Sequence, residues 1–137
     1  INNGSSIGPF ARLRNNVDVG KDSRIGNFVE IKNSSLENDV KISHLSYIGD
    51  AEIQDSANIG AGTITCNHDG VNKHKTTIGK RSFIGSNTSL IAPINIGNDA
   101  SIAAGSSISK DVDSNSLAIT RAPIRFITNW SKKFKKR

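Results

Sequence analysis

The sequence predicts an all-β fold, a parallel β-helix wound as a hexapeptide-repeat prism, with one projecting loop and a basic C-terminal tail. Three observations support this class. Aliphatic residues recur every six positions, a glycine often follows them, and a small or β-branched residue often precedes them by two positions. Neither the 3.6-residue period of a helix nor the two-residue period of a single strand produces such a spacing. A six-residue repeat is typical of β-helices.

The repeat extends along most of the chain. Short strands joined by glycine-containing turns would form coils that stack by parallel pairing about 4.8 Å apart. Three hexads in each coil would give a triangular prism with about 18 residues per turn, although the hexad count alone fixes neither the number of walls nor the handedness. The two clearest aliphatic series are Ile7, Leu13, Val19, Ile25 and Ile31, and then Ile78, Ile84, Leu90, Ile96, Ile102 and Ile108.

Charge divides the chain into a nearly neutral body, residues 1–120, and a basic tail, residues 121–137. The tail contains seven of the 18 Lys and Arg residues and no acidic residue. Such a run is usually a solvated end, but it can also attract a nucleic acid, an acidic lipid surface or a phosphate-rich cofactor. We expect residues 1–120 to form one repeat domain.

Composition excludes several classes of protein. The 137 residues suffice for one domain, and no apolar run is long enough to span a bilayer. No secretory signal pattern opens the chain. The single cysteine, Cys66, excludes an intrachain disulfide and a cysteine-based zinc site. We therefore expect a cytoplasmic protein.

A polar insertion at about residues 66–77 interrupts the repeat. It contains Asp69-Gly70 and two of the three histidines, His68 and His74. These features predict a loop that projects from the prism. Such a loop is either a functional element or a tolerated insertion.

Stacking also predicts which outward side chains lie close together. Arg14 and Lys32 are 18 positions apart, so they should form a pair of stacked cations that is favourable when an anion such as phosphate lies between them. Arg12 and Glu30 have the same spacing, so their opposite charges should form an ion pair that holds both side chains in place. One five-residue step in the repeat shortens the spacing from 18 to 17 in the next coil, so His44 should lie above Asn27 and Tyr47 above Glu30. A histidine close to two cations and a carboxylate is a candidate base.

Four longer segments, residues 7–14, 26–32, 44–53 and 58–70, resemble the acetyltransferase domain of the bacterial bifunctional N-acetylglucosamine-1-phosphate uridyltransferase / glucosamine-1-phosphate acetyltransferase. The resemblance covers residues 5–123. It implies a left-handed β-helix and a homotrimer with sites between subunits, reached by the projecting loop. It also implies transfer of acetyl from acetyl-CoA to the amine of glucosamine-1-phosphate, on the route to UDP-N-acetylglucosamine, the precursor of peptidoglycan and lipopolysaccharide.

The uridyltransferase half precedes this segment in the family, and its Gly-rich nucleotide loop is missing from this chain. We therefore expect neither uridyl transfer nor its magnesium here. We also expect no metal in the acetyltransferase domain, no nucleic-acid partner and no membrane partner.

The resemblance assigns roles to individual residues. His44 would be the general base, and His68 stands where the family commonly has tyrosine. The residues that would bind the sugar phosphate are Arg14, Lys32, Tyr47, Asn58 and Lys73. The residues that would bind acetyl-CoA are Ala61, Asn67, His68, Ser86, Ala104 and Arg121.

These roles agree with the chemistry of the residues. A histidine side chain ordinarily titrates near pH ~6.5 and can accept a proton from an amine at physiological pH. A backbone N–H of the Gly60-Ala61-Gly62 turn is a candidate donor to the tetrahedral oxyanion. Cys66 is not needed as a nucleophile, because direct transfer requires no acyl-enzyme.

Three other functions remain as alternatives. The chain could be a different hexapeptide acyltransferase, or a non-catalytic trimerising module whose tail binds a polyanion. It could also be a β-helical carbonic anhydrase that binds zinc through His44, His68 and His74, which would require three converging ligands.

Overall fold

The computed structural model describes residues 1–134 and forms a prism with three walls, each a sheet of parallel strands. Wall A contains β1 (Ser6–Ile7), β4 (Arg24–Ile25), β7 (Lys41–Ile42), β10 (Asn58–Ile59), β13 (Phe83–Ile84), β16 (Ser101–Ile102) and β18 (Leu117–Ala118). Wall B contains β2 (Arg12–Leu13), β5 (Glu30–Lys32), β8 (Tyr47–Gly49), β11 (Ile64–Cys66), β14 (Ser89–Ile91) and β17 (Ser107–Ile108). Wall C contains β3 (Val17–Val19), β6 (Ser34–Leu36), β9 (Ala51–Ile53), β12 (Thr76–Ile78) and β15 (Ile94–Ile96).

Each coil passes from wall A to wall B and then to wall C, so the predicted parallel β-helix is confirmed. The left-handed winding implied by the resemblance stays a prediction. The strand register explains the two slips in the repeat. Arg12 pairs with Glu30 at the predicted spacing of 18, whereas Glu30 pairs with Tyr47, a spacing of 17. The five-residue steps from Ile31 to Leu36 and from Ile48 to Ile53 both fall at the corner between walls B and C. In these two coils the chain turns that corner with one residue fewer.

The interior consists of stacked aliphatic side chains from most of the strands, with small residues between them, and Thr65 takes the interior position in β11. Because successive residues of a strand point to opposite faces, the hexad places one large aliphatic side chain in the interior at each wall. Ser23, Ala57, Ala100 and Ser106 are among the buried small residues. The aliphatic residues that are essentially inaccessible to solvent include Val19, Ile31, Ile48, Ile59, Ile78, Ile84 and Leu90.

The projecting loop runs from residue 67 to residue 75, since Cys66 ends β11 and Thr76 begins β12. An antiparallel bridge between His68 and Lys73 makes it a hairpin. The Asp69 carboxylate holds its turn together, because Oδ1 accepts hydrogen bonds from the Val71 and Asn72 N–H groups at 2.8 and 2.6 Å. The other oxygen, Oδ2, lies 2.7 Å from Nε2 of His74.

Beyond β18 the tail has little regular structure. It is exposed along its described length and contains a single turn of 3₁₀ helix, Trp130–Lys133. The last three cations of the predicted basic tail, Lys135, Lys136 and Arg137, lie outside the described residues. Within residues 1–134, no helix has the length and apolarity needed to cross a membrane.

The stacked interior predicts a large effect of a single truncation. Ile59 is fully buried in β10 between Ile42 and Ile84. Ile59→Ala should lower the free energy of unfolding by about 2–5 kcal/mol, because it removes buried methyl groups and leaves a cavity. Urea denaturation measures the change. Ile124→Ala is the matched control, since Ile124 is 81% exposed, and an equal loss in both variants would contradict this description of the core.

The Asp69 hairpin predicts a dependence of loop order on pH. Hydrogen bonding to His74, and then to the Asn72 and Val71 N–H groups, holds the pKa of Asp69 well below its usual range. The pKa of Asp69 is lower in the closed loop than its value of about 4 in an open loop, so the ionised carboxylate stabilises the closed loop when the pH is above that value. This stabilisation is lost as the pH falls below it. Amide exchange at Val71 and Asn72, corrected for intrinsic rates, should therefore accelerate below pH ~4.

Asp69→Asn should produce the same acceleration at neutral pH, because a neutral amide accepts these hydrogen bonds less strongly. Asp113→Asn, at an exposed position outside the loop, is the control. If exchange in the loop were equally slow in all three proteins, Asp69 would not hold the hairpin.

Candidate functional site

Four of the predicted site residues lie in one column along the corner between walls A and B. Equivalent positions in successive coils are occupied by His44, Ala61, Ser86 and Ala104. In each coil the next residue forms the corner and has a positive φ. Three rungs of parallel pairing extend about 14 Å. The rungs are joined by backbone hydrogen bonds from Gly62 to His44 at 3.1 Å, from Asn87 to Ala61 at 2.8 Å and from Gly105 to Ser86 at 2.8 Å.

Arg121 lies at the upper end of this column. Its Cδ atom is 4.0 Å from the position that a Cβ atom on Gly105 would occupy. The histidine predicted to act as the base and four of the six predicted acetyl-CoA contacts therefore follow one edge of the prism. The side chains of His44, Ser86 and Arg121 are exposed there.

A second group of predicted residues lies at the other edge of wall B, near the corner with wall C. The predicted clustering of His44 with Arg14 and Lys32 is therefore wrong within a single chain, because His44 lies at the corner between walls A and B. Arg14, Lys32 and Lys73 converge at this edge. The pKa of Lys32 is lowered by its contact with the Lys73 amine and by the nearby charges of Lys73 and Arg14, with Asp50 opposing them. A groove of about 370 Å³ next to Lys32 is lined by Arg12, Arg14 and their neighbours. Such a cluster of cations is suited to bind a phosphate group.

The predicted ion pair between Arg12 and Glu30 is wrong. Arg12 and Glu30 are paired along the backbone, but Oε1 of Glu30 accepts a hydrogen bond from Nη1 of Arg14 at 3.1 Å. Side chains on a strand lean along the strand direction. Glu30 therefore reaches the cation two positions further along the same face, and this contact helps to orient Arg14.

Tyr47 contacts the same cluster through a network of hydrogen bonds. Its hydroxyl lies 3.3 Å from Nδ2 of Asn67, which also donates to Oδ2 of Asp50 at 2.6 Å. Asn33 donates from its own Nδ2 to Oδ1 of Asp50 at 2.6 Å. The network requires glycine at position 49, because a Cβ atom there would lie 2.4 Å from the Tyr47 hydroxyl and 2.7 Å from the Asn67 amide nitrogen.

The loop folds back over the corner between walls B and C and brings Lys73 to this cluster. Lys75 forms an ion pair with Glu52 on wall C, and the His74 N–H donates to the Asn67 carbonyl at 2.8 Å. Between the loop and the wall lies a cleft of about 460 Å³, lined in part by Asp50 and Lys73. Within one chain, then, the loop contacts its own coils.

Within a single chain, three of the predicted site residues lie apart from the other residues predicted to bind the same substrate. Asn58 begins β10 on wall A, where it pairs with Lys41 and Phe83, on a different wall from the other sugar-phosphate candidates. Asn67 and His68, both predicted to bind acetyl-CoA, lie at the loop rather than along the column. Asn67 is buried beside Tyr47, and His68 is exposed.

The histidines do not converge. His44 lies at the corner between walls A and B, whereas His68 and His74 lie in the loop. No group of three or more His, Cys, Asp or Glu side chains within residues 1–134 could hold a metal ion.

Sequence reasoning missed Asp50 and Asn33. Both residues occupy corner positions with a positive φ, 51° for Asp50 and 47° for Asn33. Asn and Asp are the residues that most readily adopt this conformation, so at the sequence level they are read as turn residues. Only the assembled corner shows that the Asp50 carboxylate lies between the side-chain amides of Asn33 and Asn67.

Comparisons with known proteins agree with this fold. Residues 75–110 match the family model described as the hexapeptide repeat of succinyl-transferase. Among solved structures, the N-acyltransferase AntD from Bacillus cereus, in complex with dTDP and coenzyme A, has a TM-score of 0.79 at 20% identity, covering 91% of this chain and 80% of that one. PerB from Caulobacter crescentus, in complex with CoA and GDP-perosamine, has a TM-score of 0.77 at 21% identity, covering 85% of this chain and 54% of that one.

Curated sequences are much more similar. The bifunctional protein GlmU of Thermodesulfovibrio yellowstonii is 56% identical over 99% of this chain and 30% of its own length. The protein of the same name from Zymomonas mobilis is 54% identical over 96% of this chain and 29% of its length. The chain therefore spans about 30% of the length of these relatives. Over nearly its whole length, this hexapeptide-repeat chain is similar to one segment of the bifunctional GlmU proteins, which confirms the resemblance drawn from its motifs.

Proposed function

We propose that this chain transfers an acetyl group from acetyl-CoA to the amine of glucosamine-1-phosphate. The observation that carries the proposal is the convergence of Arg14, Lys32 and Lys73 beside Tyr47, in a chain that is 56% identical to a segment of GlmU proteins. A phosphate monoester bound among three cations would relieve their mutual repulsion. An acceptor that carries both a phosphate and an amine fits this arrangement.

Acetyl-CoA would lie along the column at the corner between walls A and B. The column is about 14 Å long, and its small residues Ala61, Ser86 and Ala104 leave the edge open to an extended chain. Arg121 at the upper end, together with the tail cations, would bind the phosphate groups of coenzyme A. The thioester would then lie at the lower end, beside His44. AntD and PerB, which share the fold, were both solved in complex with CoA, and this supports CoA as the kind of co-substrate proposed.

The reaction needs a base and a donor to the oxyanion. An imidazole nitrogen of His44 would accept a proton from the attacking amine, whose nitrogen forms the amide bond. The carbon–sulfur bond then breaks, and the departing thiolate of coenzyme A takes a proton from the His44 imidazolium or from water. The Gly60 and Gly62 N–H groups already donate to the Ile84 and His44 carbonyls. Within the described residues, this leaves the Ala61 N–H as the donor of that turn that is free to bind the oxyanion.

The two groups of residues lie at opposite edges of wall B, separated by a strand of about 10 Å. A site shared between copies of the chain, as expected for a homotrimer, would place the column of one copy against the cationic cluster of another. It would also give Asn58 on wall A a route to the substrate. The homotrimer, the inter-subunit site and the cytoplasmic location belong to this proposal.

The direct test is release of coenzyme A thiol by the purified chain with acetyl-CoA and glucosamine-1-phosphate. Turnover should require both substrates. Turnover with an amino sugar linked to a nucleotide, but not with glucosamine-1-phosphate, would assign the chain to a different hexapeptide acyltransferase. Binding of DNA without binding of acetyl-CoA would favour a scaffold with a polyanion-binding tail.

His44→Ala should lower kcat by about 10²–10⁴-fold, because it removes the general base. The same thiol assay gives the rate, and circular dichroism and sedimentation check the fold and the assembly. His44→Asn keeps a polar side chain of similar size without a base of suitable strength, so it should be equally inactive. Turnover near that of the parent chain in either variant would exclude His44 from proton transfer.

Arg14→Ala and Lys32→Ala should each raise the KM for glucosamine-1-phosphate about tenfold or more, since a hydrogen bond to a charged group contributes about 1.5–3 kcal/mol. The KM for acetyl-CoA should change little. Arg24→Ala is the matched control, because Arg24 is also stacked over a cation, Lys41, but on wall A. A rise confined to the KM for acetyl-CoA would contradict the assignment of these cations to the sugar phosphate.

A further inference from the structure

We infer that Asp50 is a positioning residue that fixes the Tyr47 hydroxyl, through Asn67, in the sugar-phosphate site. The inference rests on the proposed function for its substrate, but the network that carries it is independent of that function.

Two side-chain amides hold the Asp50 carboxylate. Each of its oxygens accepts one short hydrogen bond of 2.6 Å, Oδ1 from Asn33 and Oδ2 from Asn67. Both donors are side-chain amides, so the carboxylate is held from two sides. The corner backbone at Asp50 is in the left-handed region, with a φ of 51°, which aims the side chain out of the B/C corner toward the loop.

Asn67 transmits the position of the carboxylate to Tyr47. Asn67 is only 8% exposed, and its Nδ2 atom lies within hydrogen-bond distance of both Asp50 and the Tyr47 hydroxyl. The backbone at Asn67 is also fixed, because its N–H donates to Thr65 and its carbonyl accepts from His74. Without Asp50, the amide of Asn67 could rotate, and the Tyr47 hydroxyl would lose its fixed partner.

The charge of Asp50 also acts on the two lysines of the site. Lys32 and Lys73 are like charges in contact, which is unfavourable before the substrate binds. Asp50 is the carboxylate that raises the pKa of Lys32 against their repulsion. Partial burial opposes ionisation of Asp50, but hydrogen bonds from Asn33 and Asn67 and the charges of Lys73 and Lys32 outweigh it and keep its pKa below the usual range. Asp50 is therefore charged at neutral pH, and its charge offsets part of the repulsion between the two lysines.

Asp50→Asn separates positioning from charge. The variant keeps one carbonyl oxygen and replaces the other oxygen with an NH₂ group, so one of the two amide donors would face another donor. If Asp50 positions the site, the KM for glucosamine-1-phosphate should rise about fivefold, which corresponds to one lost hydrogen bond. A residue that acted only as a nearby negative charge would have the opposite effect, because its removal would strengthen phosphate binding and lower this KM.

The full set of kinetic expectations follows from the network. In Asp50→Asn, kcat should change less than about twofold and the KM for acetyl-CoA should stay constant. Combined with Tyr47→Phe, Asp50→Asn should cost less than it does alone, because the two residues act through one chain of contacts. Asp39→Asn is the matched control, since Asp39 is also a left-handed corner residue, with a φ of 53°, but lies between walls C and A. It should leave all the parameters unchanged.

An NMR measurement on Tyr47 tests the positioning role of Asp50 without enzyme turnover, and therefore independently of the proposed function. Tyr47 is the only tyrosine in the chain, so its ring signals in an NMR spectrum are unambiguous. Asp50→Asn should shift these signals in the free protein, and Asp39→Asn should not. Failure of the parent chain to use glucosamine-1-phosphate would overturn the proposed function while leaving this measurement valid.

An unchanged Tyr47 signal in Asp50→Asn, or a lowered KM, would overturn the positioning role. Should Asp50→Asn fail to fold, Asn33→Gly removes one donor to the carboxylate at a corner position that glycine adopts freely. It should shift the Tyr47 signal in the same direction, and the absence of any shift would likewise overturn the inference.

Discussion

The rest of the molecule depends on the parallel pairing of one coil with the next. Each strand contains only two or three residues and could not persist alone. Stacking supplies hydrogen-bond partners above and below and buries one aliphatic side chain for each wall, so stability accumulates through contacts between neighbouring coils. The same pairing fixes a spacing of about 4.8 Å between equivalent residues, and the candidate site consists of such equivalent residues.

This constraint explains why the candidate site is divided between two edges of wall B. A corner residue is repeated in every coil, and His44, Ala61, Ser86 and Ala104 form a column for that reason alone. The cationic cluster has a different origin. It needs the outward residues at the ends of β2 and β5 together with the hairpin, which departs from the repeat and returns Lys73 to a lower coil. Repetition provides the column, and the interruption of the repeat completes the cluster.

The polar network around Asp50 shows how such an interruption is fixed in place. Asn67 is the first residue of the loop and is almost fully buried, so its amide must find partners within the protein. It finds them in Asp50 and Tyr47, while Gly49 leaves the space that these groups occupy. The base of the loop is thereby tied to the wall that carries Lys32. A loop that projected freely would not hold a lysine next to another lysine.

The sequence by itself determined the prism, the position of the loop and the stacking of Arg14 on Lys32, because a period of six and backbone pairing follow from local chemistry and simple counting. It also placed Tyr47 over Glu30, once the slip was counted. Only the tertiary structure decided which carboxylate orients which cation, as the pairing of Glu30 with Arg14 rather than Arg12 shows. It alone placed Asn67 with Tyr47 and revealed Asp50 and Asn33. The reason is physical: backbone register follows from residue spacing, whereas the direction of a side chain depends on its neighbours in the assembled corner.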